Sequence, residues 1–156
     1  MSYEEVNLCI LIFISNNPTY SSNLFNKRTF KCGNKNYSFE KIYKNVKNGV
    51  VVVATPSGSG SGFVIKHQNN NTFILTNSHV VKQRKKVVVI WSDKSVDGAL
   101  VLKNGIKQND QKRFESQYDN SLISKDLALL VIKKTKGTAL EFSKTLPPIG
   151  REVITM

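Results

Sequence analysis

The 156-residue sequence has little of what marks a specialised chain. It holds two cysteines, Cys9 and Cys32, and two histidines, and neither cysteine has a His, Asp or second Cys beside it at ligand spacing. That excludes a disulfide-dense scaffold and predicts no zinc or other metal site, and nothing in the pattern calls for a cofactor. Long apolar runs are missing too. The longest, Leu8 to Ile14, falls far below the roughly 20 residues a membrane-crossing helix requires, so no transmembrane span is expected. Nine glycines and four prolines, against 40% hydrophobic residues, exclude collagen-like and mostly disordered compositions. A chain of this length buries about two thirds of its unfolded surface, enough for one core without staples.

Acidic residues are scarce: 11 Asp and Glu face 23 Lys and Arg, for a formal net charge of +12. Arginine is scarcer still, with Arg28, Arg84, Arg113 and Arg151 against nineteen lysines. Readers of phosphates and base edges lean on the planar, bidentate guanidinium. The densest run, Lys82 to Lys86, also carries no aromatic residue on which a base could stack. Nucleic acid is therefore not expected as the main partner, and a solvated lysine surface with some preference for anions remains.

Two regions are expected. Residues 1–36 hold the apolar run and a flexible linker. The run has the length of a signal-peptide core and is followed by Ser15-Asn16-Asn17-Pro18, but Glu4 and Glu5 stand where basic residues belong and no small-x-small cleavage site is clear. Export, periplasmic or extracytoplasmic, and cytoplasmic residence both stay open, as does the redox state of Cys9 and Cys32. Asn16 to Lys35 is rich in Asn, Ser and Lys and reads as linker.

Residues 37–156 read as the folded part. Ser38 is an expected N-cap for a short helix in which Phe39, Ile42, Tyr43 and Val46 share one face, stopped by Asn48-Gly49. Strands follow at Val50–Thr55, Gly62–Lys66, Thr72–Thr76, Val87–Trp91, Ala99–Lys103, Leu127–Lys133 and Glu152–Thr155. A Gly/Ser turn is expected at 58–61 and a hairpin loop at His67–Asn71. Asn104 to Ser124 reads as a long surface excursion. Many short strands between turn signals predict a mostly β fold, a small barrel or a sandwich.

Two places carry chemistry. In Ile74-Leu75-Thr76-Asn77-Ser78-His79-Val80-Val81 a histidine follows an apolar strand at once, and in Asp126-Leu127-Ala128-Leu129-Leu130-Val131-Ile132 a carboxylate opens another. A carboxylate pulled toward a core needs a partner, and a histidine is a natural one. Bonded to one ring nitrogen, it sets the tautomer that makes the other nitrogen a general base. Taken singly, each residue is more often structural, and His67 fits only the structural reading.

Together with Gly58-Ser59-Gly60-Ser61-Gly62-Phe63-Val64-Ile65, these segments resemble, in order, the N-terminal half of a trypsin-like serine protease of the bacterial HtrA (Deg) type: a Gly/Ser-rich lead into a strand, then Leu-Thr-Asn-x-His-Val-Val, then Asp-Leu-Ala-Leu-Leu. The resemblance covers about residues 38–156. It implies the first six-stranded antiparallel barrel of a double-barrel endopeptidase, with a short N-terminal helix, His79 as general base and Asp126 as its orienting carboxylate. It also implies a polypeptide substrate once a second barrel completes the site. That family orders its triad His, Asp, Ser, which removes Ser59, Ser61, Cys9 and Cys32 as nucleophiles. After Asp126 the only serine is Ser143, with no flanking glycine to shape an oxyanion hole. Ile149 to Met156 resembles the strand that opens the second barrel, so that barrel is absent or only begun. The expectation is a truncated serine endopeptidase, inactive alone, with a non-catalytic β-barrel binding module as the alternative. No signal bears on oligomeric state.

Overall fold

The computed structural model describes residues 29–32, 35–107, 109–110, 122 and 124–143. The chain divides into two compact units, one of which is residues 48–140. The apolar run at 8–14 and the strand expected at Glu152–Thr155 lie outside the described residues.

In the first unit, β1 (Thr29–Cys32) and β2 (Lys35–Ser38) pair antiparallel, Thr29 opposite Ser38. Strand pairing thus reaches back into the stretch read as linker. At four residues each, these strands are too short for alternation to stand out from the polar residues around them. Helix α1 (Phe39–Val46) forms where its spacing predicts. Ser38 Oγ accepts the Lys41 N–H at 3.3 Å, and Lys44 pairs with Glu40 at 2.7 Å one turn away. A 3₁₀ turn, Lys47–Gly49, ends it.

The second unit is a closed barrel of six antiparallel strands, β3 (Val50–Thr55), β4 (Gly58–Gln68), β5 (Asn71–Thr76), β6 (Lys86–Ile90), β7 (Val96–Asn104) and β8 (Ala128–Ile132), in the order β3-β4-β5-β8-β7-β6. The fold is thus mostly β, as expected. Closure pairs β6 with β3, Val53 opposite Val89, so no strand leaves an open edge. Side chains alternate: Val51, Val53, Val64, Ile74, Val87, Val89, Leu130 and Ile132 point inward and are buried. Truncating a fully buried Ile74 or Leu130 to alanine costs about 2–5 kcal/mol. Bulges between Val64 and Lys66 and between Val101 and Lys103 bend β4 and β7 around the core.

Two turns differ from the sequence reading. The glycine-rich stretch is strand: Gly58 to Gly62 pairs with β3, Gly60 opposite Val53, and the chain reverses at Pro56-Ser57 instead. Two of its glycines permit close approach: a β-carbon at Gly60 would lie 2.4 Å from Val80 Cγ2, and one at Gly62 3.0 Å from Ile74 Cγ2. The hairpin between β4 and β5 is tighter than expected. His67 and Gln68 are paired with Thr72 and Asn71, and only Asn69 and Asn70 turn, both at left-handed φ (50° and 57°) that asparagine tolerates.

The end of the barrel away from Asp126 is closed by Trp91 and the 133–137 segment. Trp91 Nε1–H donates to Asp97 Oδ2 at 2.7 Å, Lys134 pairs with Asp97 at 2.6 Å, and Lys136 lies 5.1 Å from the indole centre while pairing with Asp93 at 3.3 Å. Buried Thr72 donates its hydroxyl proton to the Lys134 carbonyl at 2.7 Å and accepts the Lys136 N–H at 2.9 Å. No helix among the described residues is long and apolar enough to cross a membrane.

Candidate active site

Strand β5 delivers the histidine. Its inward residues Thr72, Ile74 and Thr76 fix the register, and Thr76 Oγ1 ties the strand end to the Ser61 carbonyl at 2.7 Å. The chain then turns into a single helical turn, α2 (Ser78–Val81), with Asn77 as its N-cap residue. Val80 and Val81 pack α2 onto the core, with Val81 fully buried, which leaves His79 on the outer side with its side chain 48% exposed. This turn is absent from the sequence reading, being too short for a periodicity to show.

Asp126 sits on a tight loop before β8, where the Leu127 N–H donates to the Lys125 carbonyl at 2.8 Å. The loop is pinned by residues 104–106. Gly105 N–H donates to the Leu127 carbonyl at 2.8 Å, and a β-carbon at Gly105 would lie 2.0 Å from the Lys125 carbonyl oxygen, so a side chain there would displace the loop. The carboxylate is nearly buried, at 11% exposure against 48% for the imidazole, so the carboxylate is shielded from water while the ring is half exposed.

Asp126 and His79 meet through two contacts. Oδ2 lies 2.7 Å from His79 Nδ1, and Oδ1 accepts the His79 backbone N–H at 2.9 Å. The second satisfies an N–H at the start of α2 that has no partner within its own helix. Asn77 makes no side-chain cap bond of its own. Its amide instead donates to the Asp126 carbonyl at 3.0 Å and to Oδ2 at 3.2 Å. The carboxylate thus holds both the backbone and the ring of the histidine. With Oδ2 as acceptor the ring proton resides on Nδ1, and Nε2 becomes the basic nitrogen.

Underneath, Ser78, fully buried, donates its hydroxyl proton to Asn104 Oδ1 and accepts the Ile106 N–H at 3.1 Å, while Asn104 Nδ2 donates to the Lys82 carbonyl. The same three-residue segment therefore anchors both ends of α2 and, through Gly105, the Asp126 loop. Sequence reasoning singled out neither Ser78 nor Asn104. Ile106 and Leu122 are also buried, although the 104–124 stretch reads as a surface excursion. Isolated apolar residues among polar ones give no pattern.

The remaining candidates fall elsewhere. Ser59 and Ser61 lie in paired β4, opposite Ala54 and Val52, and not in a glycine-shaped turn. His67 Nδ1 is 3.1 Å from Thr72 Oγ1, in the network at the other end of the barrel. Among the described residues no three His, Cys, Asp or Glu converge on a point that could hold a metal.

A family model described as a trypsin-like peptidase domain matches residues 60–156, well over half of the chain. The chain is also similar to a solved structure, described as the crystal structure of the serine endoprotease from Yersinia pestis, at 23% identity and a TM-score of 0.46. That match covers 73% of this chain and 36% of the other, so the present chain spans about a third of that protein's length. No curated protein matches it. On the extent of the family match, with the histidine and carboxylate motifs both inside it, the chain belongs to the trypsin-like peptidase domain family.

Proposed function

We propose that this chain supplies the general base and its orienting carboxylate for serine-type peptide-bond hydrolysis, the residues being His79 and Asp126. The observation that carries the reading is the double contact of Asp126 with His79, at 2.7 Å to the ring and 2.9 Å to the backbone. In this reading His79 Nε2 takes the proton of a serine hydroxyl as its oxygen bonds to the peptide carbonyl carbon, and Asp126 stabilises the imidazolium. The imidazolium then gives that proton to the departing amine nitrogen as the peptide C–N bond breaks. A water molecule, deprotonated by the same nitrogen, frees the acyl group and restores the hydroxyl.

The serine is not among these 156 residues in a usable setting. Ser143 follows Asp126 in sequence but stands between Phe142 and Lys144, with no glycine to turn the backbone N–H groups onto an oxyanion. By itself the chain is therefore expected to cleave no peptide bond.

The test starts from the coding sequence downstream of codon 156: where the frame continues, its product is expressed beside the 156-residue chain. The longer product should hydrolyse unfolded casein, be silenced by a fluorophosphonate and lose activity with His79→Ala, while the chain alone does nothing. A longer product that binds polypeptides and never cleaves them would establish the binding-module alternative. Fluorophosphonate-sensitive turnover by the 156-residue chain would overturn the assignment of roles.

A further inference from the structure

Three basic segments meet beside the His79–Asp126 pair. The stretch after α2 exposes Arg84, Lys85 and Lys86, the end of β7 and its loop expose Lys103 and Lys107, and Lys125 is exposed next to Asp126. Hydrogen bonds hold the segments against one another. Gln83 Nε2 donates to the Ile106 carbonyl at 3.0 Å, Val101 N–H to the Lys85 carbonyl at 2.9 Å, and Gly105 N–H to the Leu127 carbonyl at 2.8 Å. Six cations therefore share the end of the barrel that carries the site.

The acids that could offset them are elsewhere. Asp93 and Asp97 occupy the opposite end, about 17 Å along five-residue β8, where Lys136 and Lys134 already neutralise them. At the site end Asp126 is engaged by His79 and Asn77, and Asp110 follows Lys107 by three residues. Over 104–124 the sequence is balanced, Lys107, Lys112 and Arg113 against Asp110, Glu115 and Asp119, so that stretch does not cancel the field. The opposite end also exposes Lys66, Lys94 and Lys133, but on separate segments; with screening over about 8 Å at physiological ionic strength, the denser grouping is the one beside His79 and Asp126. Five of the six cations are lysines, and the three segments hold no aromatic residue. Flexible point charges suit the scattered carboxylates of an extended polypeptide better than stacked bases or bidentate phosphates.

We propose that this surface selects the polypeptide presented to His79, favouring chains with Asp or Glu close to the bond to be cut. The inference rests on the peptidase reading for what is done to the bound chain, and its own test is binding. Fluorescence anisotropy of the 156-residue protein with a labelled Glu-Gly-Ser repeat peptide, its Gln-Gly-Ser counterpart and an oligouridylate of equal charge separates the outcomes. The acidic peptide should bind and the neutral one should not. The triple variant Arg84→Glu, Lys85→Glu, Lys86→Glu should weaken binding by about tenfold or more, through repulsion placed at the contact. The triple variant Lys66→Glu, Lys94→Glu, Lys133→Glu, with the same change in net charge at the other end, should weaken it by less than about twofold.

Failure of the unsubstituted longer product to hydrolyse casein, with acidic binding intact, counts against the peptidase reading and not against this surface. Equal losses in the two triple variants, or equal binding of acidic and neutral peptides, would overturn the proposal. So would tighter binding of the oligouridylate that the first triple variant abolishes. Circular dichroism checks each variant's fold, and glutamine versions replace any that fail it.

Discussion

Replacing Gly60 with alanine should destabilise the barrel, and truncating Val80 should recover most of the loss. A β-carbon at position 60 would lie 2.4 Å from Cγ2 of Val80, 3.1 Å from its Cγ1 and 3.4 Å from its Cβ. Carbon atoms rest at about 3.5–4.0 Å, so the first contact cannot be absorbed in place. Val80 is β-branched and helical, with essentially one side-chain rotamer, so β4 or α2 must move instead. Overpacking of this kind costs about 1–3 kcal/mol. Gly60 is not at left-handed φ, so alanine also restricts the unfolded chain and returns about 0.4–1 kcal/mol. The net for Gly60→Ala is a loss of about 1–2 kcal/mol.

Val80→Ala alone removes two methyl groups from a residue 8% exposed, a loss of about 1.5–3 kcal/mol with its cavity. In the double variant the closest of these contacts is the ordinary 3.4 Å one to Cβ, and the new methyl occupies part of the vacated space. The pair should therefore cost less than the sum of the singles by about 1–2 kcal/mol. Guanidinium unfolding followed by the fluorescence of Trp91, the single tryptophan, measures the cycle. Additivity within about 0.5 kcal/mol, or a neutral Gly60→Ala, would refute the reasoning that β4 needs glycine because α2 sits against it.

Asp126→Asn should reverse the His79 tautomer: a carboxamide turned to keep an oxygen on the His79 N–H presents its NH₂ to Nδ1, and ¹⁵N shifts of the ring should show the proton moved to Nε2, whereas an unchanged tautomer counts against the pairing. In the longer product that change should cut hydrolysis by about four orders of magnitude. Thr72→Val should cost about 1–3 kcal/mol in denaturant unfolding by stranding the Lys136 N–H, and Thr72→Ser should restore it; equal losses would assign the effect to packing. Acid should erode stability from about pH 4 down to about pH 2. Asp93 is lowered from the usual 3.8 to about 2 by hydrogen bonds from Ser95, with Lys136 adding to them. At Asp97 burial works upward, and hydrogen bonds from Lys134 and Trp91 with the Lys134 and Lys136 charges outweigh it, leaving its pKa below the usual value. Carboxylates lowered in the fold contribute stability that is whole above the unfolded pKa and is lost as pH falls through the folded one. Thermal midpoints across that range should therefore decline less in Asp97→Asn, and parallel curves would contradict the assignment.

Much of this was legible before any fold. Alternation and β-branching marked the barrel strands, because a strand with one buried face must repeat every second residue, and Ser38 with its apolar spacing marked α1. His79 and Asp126 were legible as a pair because each stands at the edge of an apolar strand. Tertiary structure decided what depends on distance across the chain. Gly58 to Gly62 became strand by pairing with β3, and Gly60 and Gly62 suit it because Val80 crowds the first and Val53 and Ile74 the second. Asn77 became a partner of Asp126, forty-nine residues away, and Ser78 with Asn104 became the anchor beneath the histidine. No local pattern encodes such bonds, since a polar residue's partner is whichever group the closed barrel brings within about 3 Å. The order of the sequence motifs and their resemblance to the peptidase family singled out His79 and Asp126, and only closure of the barrel, pairing β5 with β8, set them 2.7 Å apart.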